Sequence, residues 1–365
     1  MKQNVVIKNI LLFSLFLLFV LGGLGTNIFL ARVVGLILSF IFLFYAYFID
    51  RKLFFPKGFL VYLLFLLLFA FSVVWSFDKQ ISFEILLLFI SGGVFWLAIY
   101  NLQDKLNKEL RLLLIGTAIV FAALFFLYLL GVNFTLYPGS LFLPISSFNN
   151  HNHIGDLWAL VFVLLAYQYA IKKQKINKSM VILSFFLIAI SFSRSAYIAV
   201  LGGIFYLFKK KGLLKKYEQI FSILLIVFIA FFTIGSLFKS TLGSRPYFVQ
   251  AILGAIDHPF GVGVGSFDII SSNTKYHLFG MSQFSYLTHN VFLEFISGMG
   301  ILGLSFIAWI IYALVSFNKS NKGKNILFQA IFLTLTINFF FDATYFIPTM
   351  TYLWFIFLGL AQEKK

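Results

Sequence analysis

Apolar runs of about 20 residues follow one another from one end of this 365-residue chain to the other. A run of that length spans a bilayer as a helix, and lipid leaves a spanning segment no other partner for its backbone than itself. Charged residues make up 11% of the chain and hydrophobic ones 61%, whereas a soluble domain carries about 25% charge. The pattern predicts an all-α integral membrane protein with about twelve transmembrane helices, a single polytopic domain over 1–365. The expected spans are 9–25, 30–49, 58–76, 81–101, 110–131, 154–171, 179–193, 195–208, 218–238, 290–317, 325–342 and 346–361. A large outer loop, 239–288, separates the ninth and tenth spans and is expected to contain helices. The N-terminal run with Lys2 and Lys8 resembles a signal peptide without a clear small-residue cleavage site, and is read as a retained first helix.

The net charge of +16 has a topological explanation. Counted over alternate connections, 22 of the 28 Lys and Arg residues fall in one set and five in the other, with Arg32 near the start of the second span. This asymmetry follows the positive-inside rule and predicts cytoplasmic termini. No nucleic-acid partner is needed to explain the charge.

Arg194 is the conspicuous exception. It stands in ISFSRSAYIAV (190–200), inside an otherwise apolar stretch. If 180–208 were one helix, the lysine clusters at 172–178 and 209–216 would face opposite sides. Two short helices meeting at Ser193-Arg194-Ser195 keep both clusters inside. Each arm would then reach only about 20 Å, so the tip is expected to sit recessed in the bilayer, where a cation needs water or an anionic partner.

In this topology all five histidines lie on the outer side, in four polar stretches: SFNNHNHIGDLW (147–158), SFSRSA (191–196), the loop 239–288, and THNVFLEFISGMGILG (288–303). Tyr247, Phe248, Ala251, Ile252 and Ala255 recur at helical spacing and predict an amphipathic helix that ends at Asp257-His258-Pro259. Each polar residue has two readings. Asn152 and His153 suit a functional site or a helix cap, and so does His289. Arg194 suits an anionic ligand, a lipid phosphate or a buried acid; Arg245 suits a ligand or an ordinary loop. Glu294, about one turn below His289, is placed to orient that ring or pair with an arginine. GVGVG (261–265) lacks the context and terminal Lys-Ser/Thr of a phosphate loop and reads as a turn. There is no cysteine, which excludes disulfides and thiolate chemistry, and the spacing of Asp257 and His258 fits no zinc motif.

Taken in order, Asn152-His153, SRSA (193–196), the R…DHPFGVGVGSF block (245–267) and THNVFLEFISGMGILG resemble the bacterial O-antigen ligase and O-antigen polymerase family, over roughly residues 145–310. The first 130 residues carry no motif beyond spans. Where the family often has a proline before its Asn-His pair, this chain has His151. The resemblance implies a metal-independent, cofactor-free membrane glycosyltransferase of the bacterial cytoplasmic membrane, acting in lipopolysaccharide or related polysaccharide biosynthesis with its site facing the periplasm. It implies a polyprenyl-diphosphate-linked glycan as donor, with Arg194 and Arg245 binding the diphosphate and His289 activating a lipid or glycan acceptor. Asn152, His153, Ser193, Asp257, His258, Asn290 and Glu294 are the expected supporting residues. Inversion is the simplest stereochemical expectation, as no positioned carboxylate nucleophile is evident. A polymerase would differ only in using a second carrier-linked repeat as acceptor. A transporter of lipid-linked glycans would instead place its polar residues near the midplane, in paired repeats.

Overall fold

The computed structural model describes residues 2–24, 28–129, 151–173, 178–191, 193–217, 245–277, 284–318 and 325–364, with residues 219, 222, 223 and 226. Most of the ninth expected span, and the part of the first polar stretch before His151, lie outside these. Among the described residues the secondary structure is helical, without strands. The α-helices are α1 (Lys2–Leu24), α2 (Ile28–Asp50), α3 (Phe59–Ser72), α4 (Lys79–Leu129), α5 (His151–Ala170), α6 (Lys178–Ser191), α7 (Arg194–Lys210), α8 (Arg245–Asp257), α9 (Phe267–Ser271), α10 (Val291–Met299), α11 (Leu304–Asn318), α12 (Ile326–Asn338) and α13 (Pro348–Ala361). Among the described residues, five segments are long and apolar enough to cross a membrane: Val5–Gly23, Ile28–Asp50, Lys79–Leu124, His153–Ala170 and Val291–Phe317. Apolar side chains such as Leu60, Leu67, Ile182 and Ile301 stay largely exposed on the helix flanks, as expected where the surrounding solvent is lipid.

The expected loop at 102–111 is not a loop. α4 is helical throughout its 51 residues. The reason is local: LQDKLNKELR (102–111) contains no Gly or Pro and consists mostly of good helix formers, while Leu102, Leu106 and Leu110 bury one face at helical spacing. Yet α4 cannot be straight, for it would then extend about 77 Å. Gly92 lies against Phe355 of α13; Phe121 lies against Gly23, whose neighbour Gly22 touches Pro348. Pro348 and Phe355 are only two turns apart on α13. The helix therefore doubles back within its polar stretch. There Lys105 pairs with Asp50 at 2.7 Å and Lys8 with Glu109 at 2.6 Å, and Asp50 also receives Lys364 at 2.9 Å. These contacts gather one lysine-rich end of the bundle.

The short arms α6 and α7 both lie on α5. Phe162 meets Phe185, and Gly155 meets Ser191, so α6 runs against α5. Gly155 also meets Ser193, and Gly203 meets Val163, so α7 runs along it. The chain thus turns sharply at Ser193, at the end of the bundle away from the lysines.

The GVGVG segment is a turn threaded between two other elements. Val262 donates its N–H to Ser297 O at 3.0 Å and accepts from Phe77 N at 3.0 Å, and Gly263 N–H reaches Gly298 O at 2.8 Å. Gly263 has φ 103, and a Cβ there would strike the Ser76 hydroxyl. Both observations require glycine. The α8 helix is amphipathic as expected: Ala251 is buried and Tyr247, Phe248 and Ala255 are half-buried, and only Ile252 of the expected stripe falls outside it. Ala251 is buried with Val262, Phe267, Ile270 and Tyr276, while Ile252 and Ile256 are exposed. Gly254 lets Ile270 pack close, which rotates the small-residue side of α8 inward and leaves the larger aliphatic side chains outside.

Candidate functional site

His289 occupies the last turn before α10 with φ 56, a left-handed conformation that histidine tolerates better than most residues. The turn is fastened on every side. Asn290 caps α10: its Oδ1 accepts from Phe292 N and Leu293 N at 2.9 and 3.0 Å, and its Nδ2 donates to Phe340 O at 3.1 Å. Thr288 Oγ1 donates to Asn290 O at 2.7 Å, and Val291 N–H to Phe339 O at 2.9 Å. The buried Glu294 carboxylate accepts from Thr288 N at 2.9 Å, Gly265 N at 3.0 Å and Tyr345 Oη at 3.2 Å. Its oxygens are thus taken up by the turn's backbone, the glycine segment and a tyrosine, which is a clamp on the loop that carries His289.

The imidazole stacks on Tyr247, with ring centroids 5.5 Å apart and planes 20° from parallel. Burial pushes its pKa down from the usual value, since desolvation penalises the imidazolium. The ring is therefore held in its neutral, proton-accepting form near neutral pH. Tyr247 lies in the first turn of α8, which begins at Arg245, so this stack brings the start of α8 to the His289 turn. The side chains of Arg245 and Asn152 lie outside the described part of the structure.

Arg194 opens α7, and Ser193 caps that helix by accepting from Ala196 N at 3.3 Å. Beneath the turn, the expected Ser193 joins a cluster whose Asp156 the sequence did not single out. Ser193 Oγ and Ser195 Oγ donate to Asp156 Oδ1 at 3.2 and 3.3 Å, and Ser195 Oγ also contacts Asp342 Oδ2 at 3.4 Å. Asp156 is 1% exposed and Asp342 5%. Asp156 stands within the quoted HIGD stretch, next to Gly155, whose missing side chain admits Ser191 and Ser193. An acid in the first turns of an apolar helix was the available signal.

One segment joins the two turns. The connection from Phe339 to Phe346 supplies Asp342 to Ser195, the carbonyls of Phe339 and Phe340 to Val291 and Asn290, and the Tyr345 hydroxyl to Glu294. The Arg194 turn, the His289 turn and the start of α8 are therefore held at the same end of the bundle. The other expected residues make contacts of their own. Asp257 accepts from Lys275 Nζ at 2.7 Å and Tyr276 Oη at 2.8 Å, which holds its carboxyl below the usual range and braces the end of α8. His258 meets the Phe77 ring edge-on. His153 sits half-buried on the first turn of α5. Among the described residues, no three His, Asp or Glu side chains come together as a metal-holding group.

Residues 179–308 match the family model described as O-Antigen ligase. The matched region runs from α6 through both candidate turns into α11, and it supports assigning the chain to the O-antigen ligase family, as a membrane glycosyltransferase of the ligase or polymerase type. No curated protein and no solved structure matches the chain.

Proposed function

Proceeding from that family assignment, we propose that the protein transfers a glycan from a polyprenyl-diphosphate carrier to an acceptor hydroxyl on the outer side of the cytoplasmic membrane, as an O-antigen ligase does. The observation that carries this reading is the shared Phe339–Phe346 connection, which binds the turn bearing Arg194 to the turn bearing His289. In the proposed reaction His289 accepts the proton of the acceptor hydroxyl as its oxygen attacks the anomeric carbon. The bond from that carbon to the diphosphate breaks, and the electron pair leaves with the phosphate oxygen. Arg194 and Arg245 receive the growing negative charge, since guanidinium forks match phosphate oxygens bidentately. The histidine-bearing end faces outward, and the lysine-rich end faces the cytoplasm.

His289→Asn tests the reading with little backbone penalty, because asparagine also tolerates the left-handed conformation. With reconstituted protein and a carrier-linked glycan, transfer is expected to fall roughly 10²–10⁴-fold, the usual share of a general base, while donor binding persists. Transfer at the wild-type rate would exclude His289 as the base.

A further inference from the structure

The lysine-rich end holds a cavity of about 440 Å³ that the proposed reaction does not use. Its wall combines Gln103, Asp104, Asn107 and Arg111 from the reversing stretch of α4 with Lys172 and Lys211, just beyond α5 and α7. Tyr167 of α5, Asn325 at the start of α12 and Leu360 near the end of α13 close the remainder. Three cations thus face one carboxylate. Elsewhere at this end Asp50 takes both Lys105 and Lys364, and Glu109 takes Lys8. Among the described residues, none of the three cavity cations forms an ion pair.

Arg111 is the most telling of the three. Its guanidinium lies over the Phe328 ring, 5.0 Å from the centroid, and its buried Nε has no hydrogen-bond partner. Stacking fixes the plane of the guanidinium fork, and its terminal nitrogens suit a tetrahedral oxyanion. Two lysines add point charge, and the amides of Gln103 and Asn107 add neutral donors.

We propose that this cavity is a phosphate-recognition site, separate from the transfer site at the opposite end of the bundle. Its ligand is a phosphate-bearing headgroup, either that of an anionic phospholipid or a free phosphate. Basic pockets between helices on the cytoplasmic side are a common form of headgroup site.

The test uses the full-length protein in neutral detergent, titrated with phosphatidylglycerol in mixed micelles and, separately, with inorganic phosphate, with binding read as a rise in Tm. Three proteins are compared: the wild type, Lys172→Gln/Lys211→Gln, and Lys52→Gln/Lys57→Gln, which removes equal charge from the same face outside the cavity. Both double variants alter exposed or half-exposed side chains, so folding is expected to survive. If the ligand is a lipid headgroup, phosphatidylglycerol stabilises the wild type and the control, and its apparent affinity for the cavity variant falls roughly 30-fold, the product of two lysine contacts near a charged headgroup. If it is free phosphate, the same loss appears with inorganic phosphate. No stabilisation of the wild type by either probe, or equal responses of the two double variants, would overturn the proposal.

Discussion

The two turns at the histidine-bearing end are built from different materials. Around His289 the contacts are short and mostly to backbone: N–H groups of Thr288 and Gly265 on the Glu294 carboxylate at 2.9–3.0 Å, and the Asn290 cap at 2.9–3.0 Å. Beneath Arg194 they run between side chains, hydroxyl to carboxyl, at 3.2–3.4 Å. Charge-assisted bonds from fixed backbone donors are the stronger kind. Serine hydroxyls can rotate to new partners at little cost. One turn holds its residue against displacement, whereas the other lets its residue adjust. In the proposed reaction the base must sit within hydrogen-bond reach of one hydroxyl, while the arginine would have to follow a diphosphate as it arrives and leaves.

The sharpest way to break this contrast is to remove each anchor in turn. Glu294→Ala leaves the buried N–H groups of Thr288 and Gly265 without their acceptor, at about 1–3 kcal/mol apiece, and leaves Tyr345 Oη only Thr288 Oγ1 at 3.4 Å. A large fall in Tm is expected, with loss of transfer. Asp156→Ala should cost about 1–2 kcal/mol, because Ser193 and Ser195 still have each other at 2.9 Å. Equal Tm losses in the two variants would erase the distinction. The next largest effect concerns Arg194 itself. Arg194→Lys keeps the charge but loses the planar fork; transfer should drop on the order of tenfold while Tm stays near the wild-type value. Full transfer by the lysine variant would mean that only charge is required there. The smallest effect is a shift along the pH axis. Since burial lowers the His289 pKa, the neutral base persists below the ordinary 6.5 of an imidazole. The fall in kcat/KM on acidification should therefore be centred below that value, and an acid limb at or above 6.5 would contradict a desolvated ring.

The elements differ in how far they could be read from the chain. The break at Ser193 is legible because lysine clusters flank the stretch on both sides and three serines with an arginine interrupt it. The α4 reversal is not, since Lys105, Lys108 and Arg111 carry the charge signature of a loop on residues that prefer helix. At His289 the asparagine and threonine on either side announce a cap, but the left-handed backbone and the stack on Tyr247 depend on α8, which is remote in sequence. Least legible is the Phe339–Phe346 connection. Its Asp342 meets Ser195 across 147 positions, and Tyr345 meets Glu294 across 51. Nothing local marks a tyrosine at a span's end as a strut for another loop.

The closing of the lysine-rich end carries a consequence for how the protein is made. Gln362 accepts from the Trp96 indole at 3.2 Å, donates to Lys57 O at 2.9 Å, and offers its own carbonyl to Asn325 at 2.9 Å. Trp96 and Gln362 are 266 positions apart. At translation rates of about 5–20 residues per second, the indole waits roughly 13–53 s between its own synthesis and that of its partner. During that interval the early helices have an open seam at the lysine-rich end. Gln362 thus acts as a latch: until it is made, Trp96, Lys57 and Asn325 lack the one side chain and carbonyl that join them.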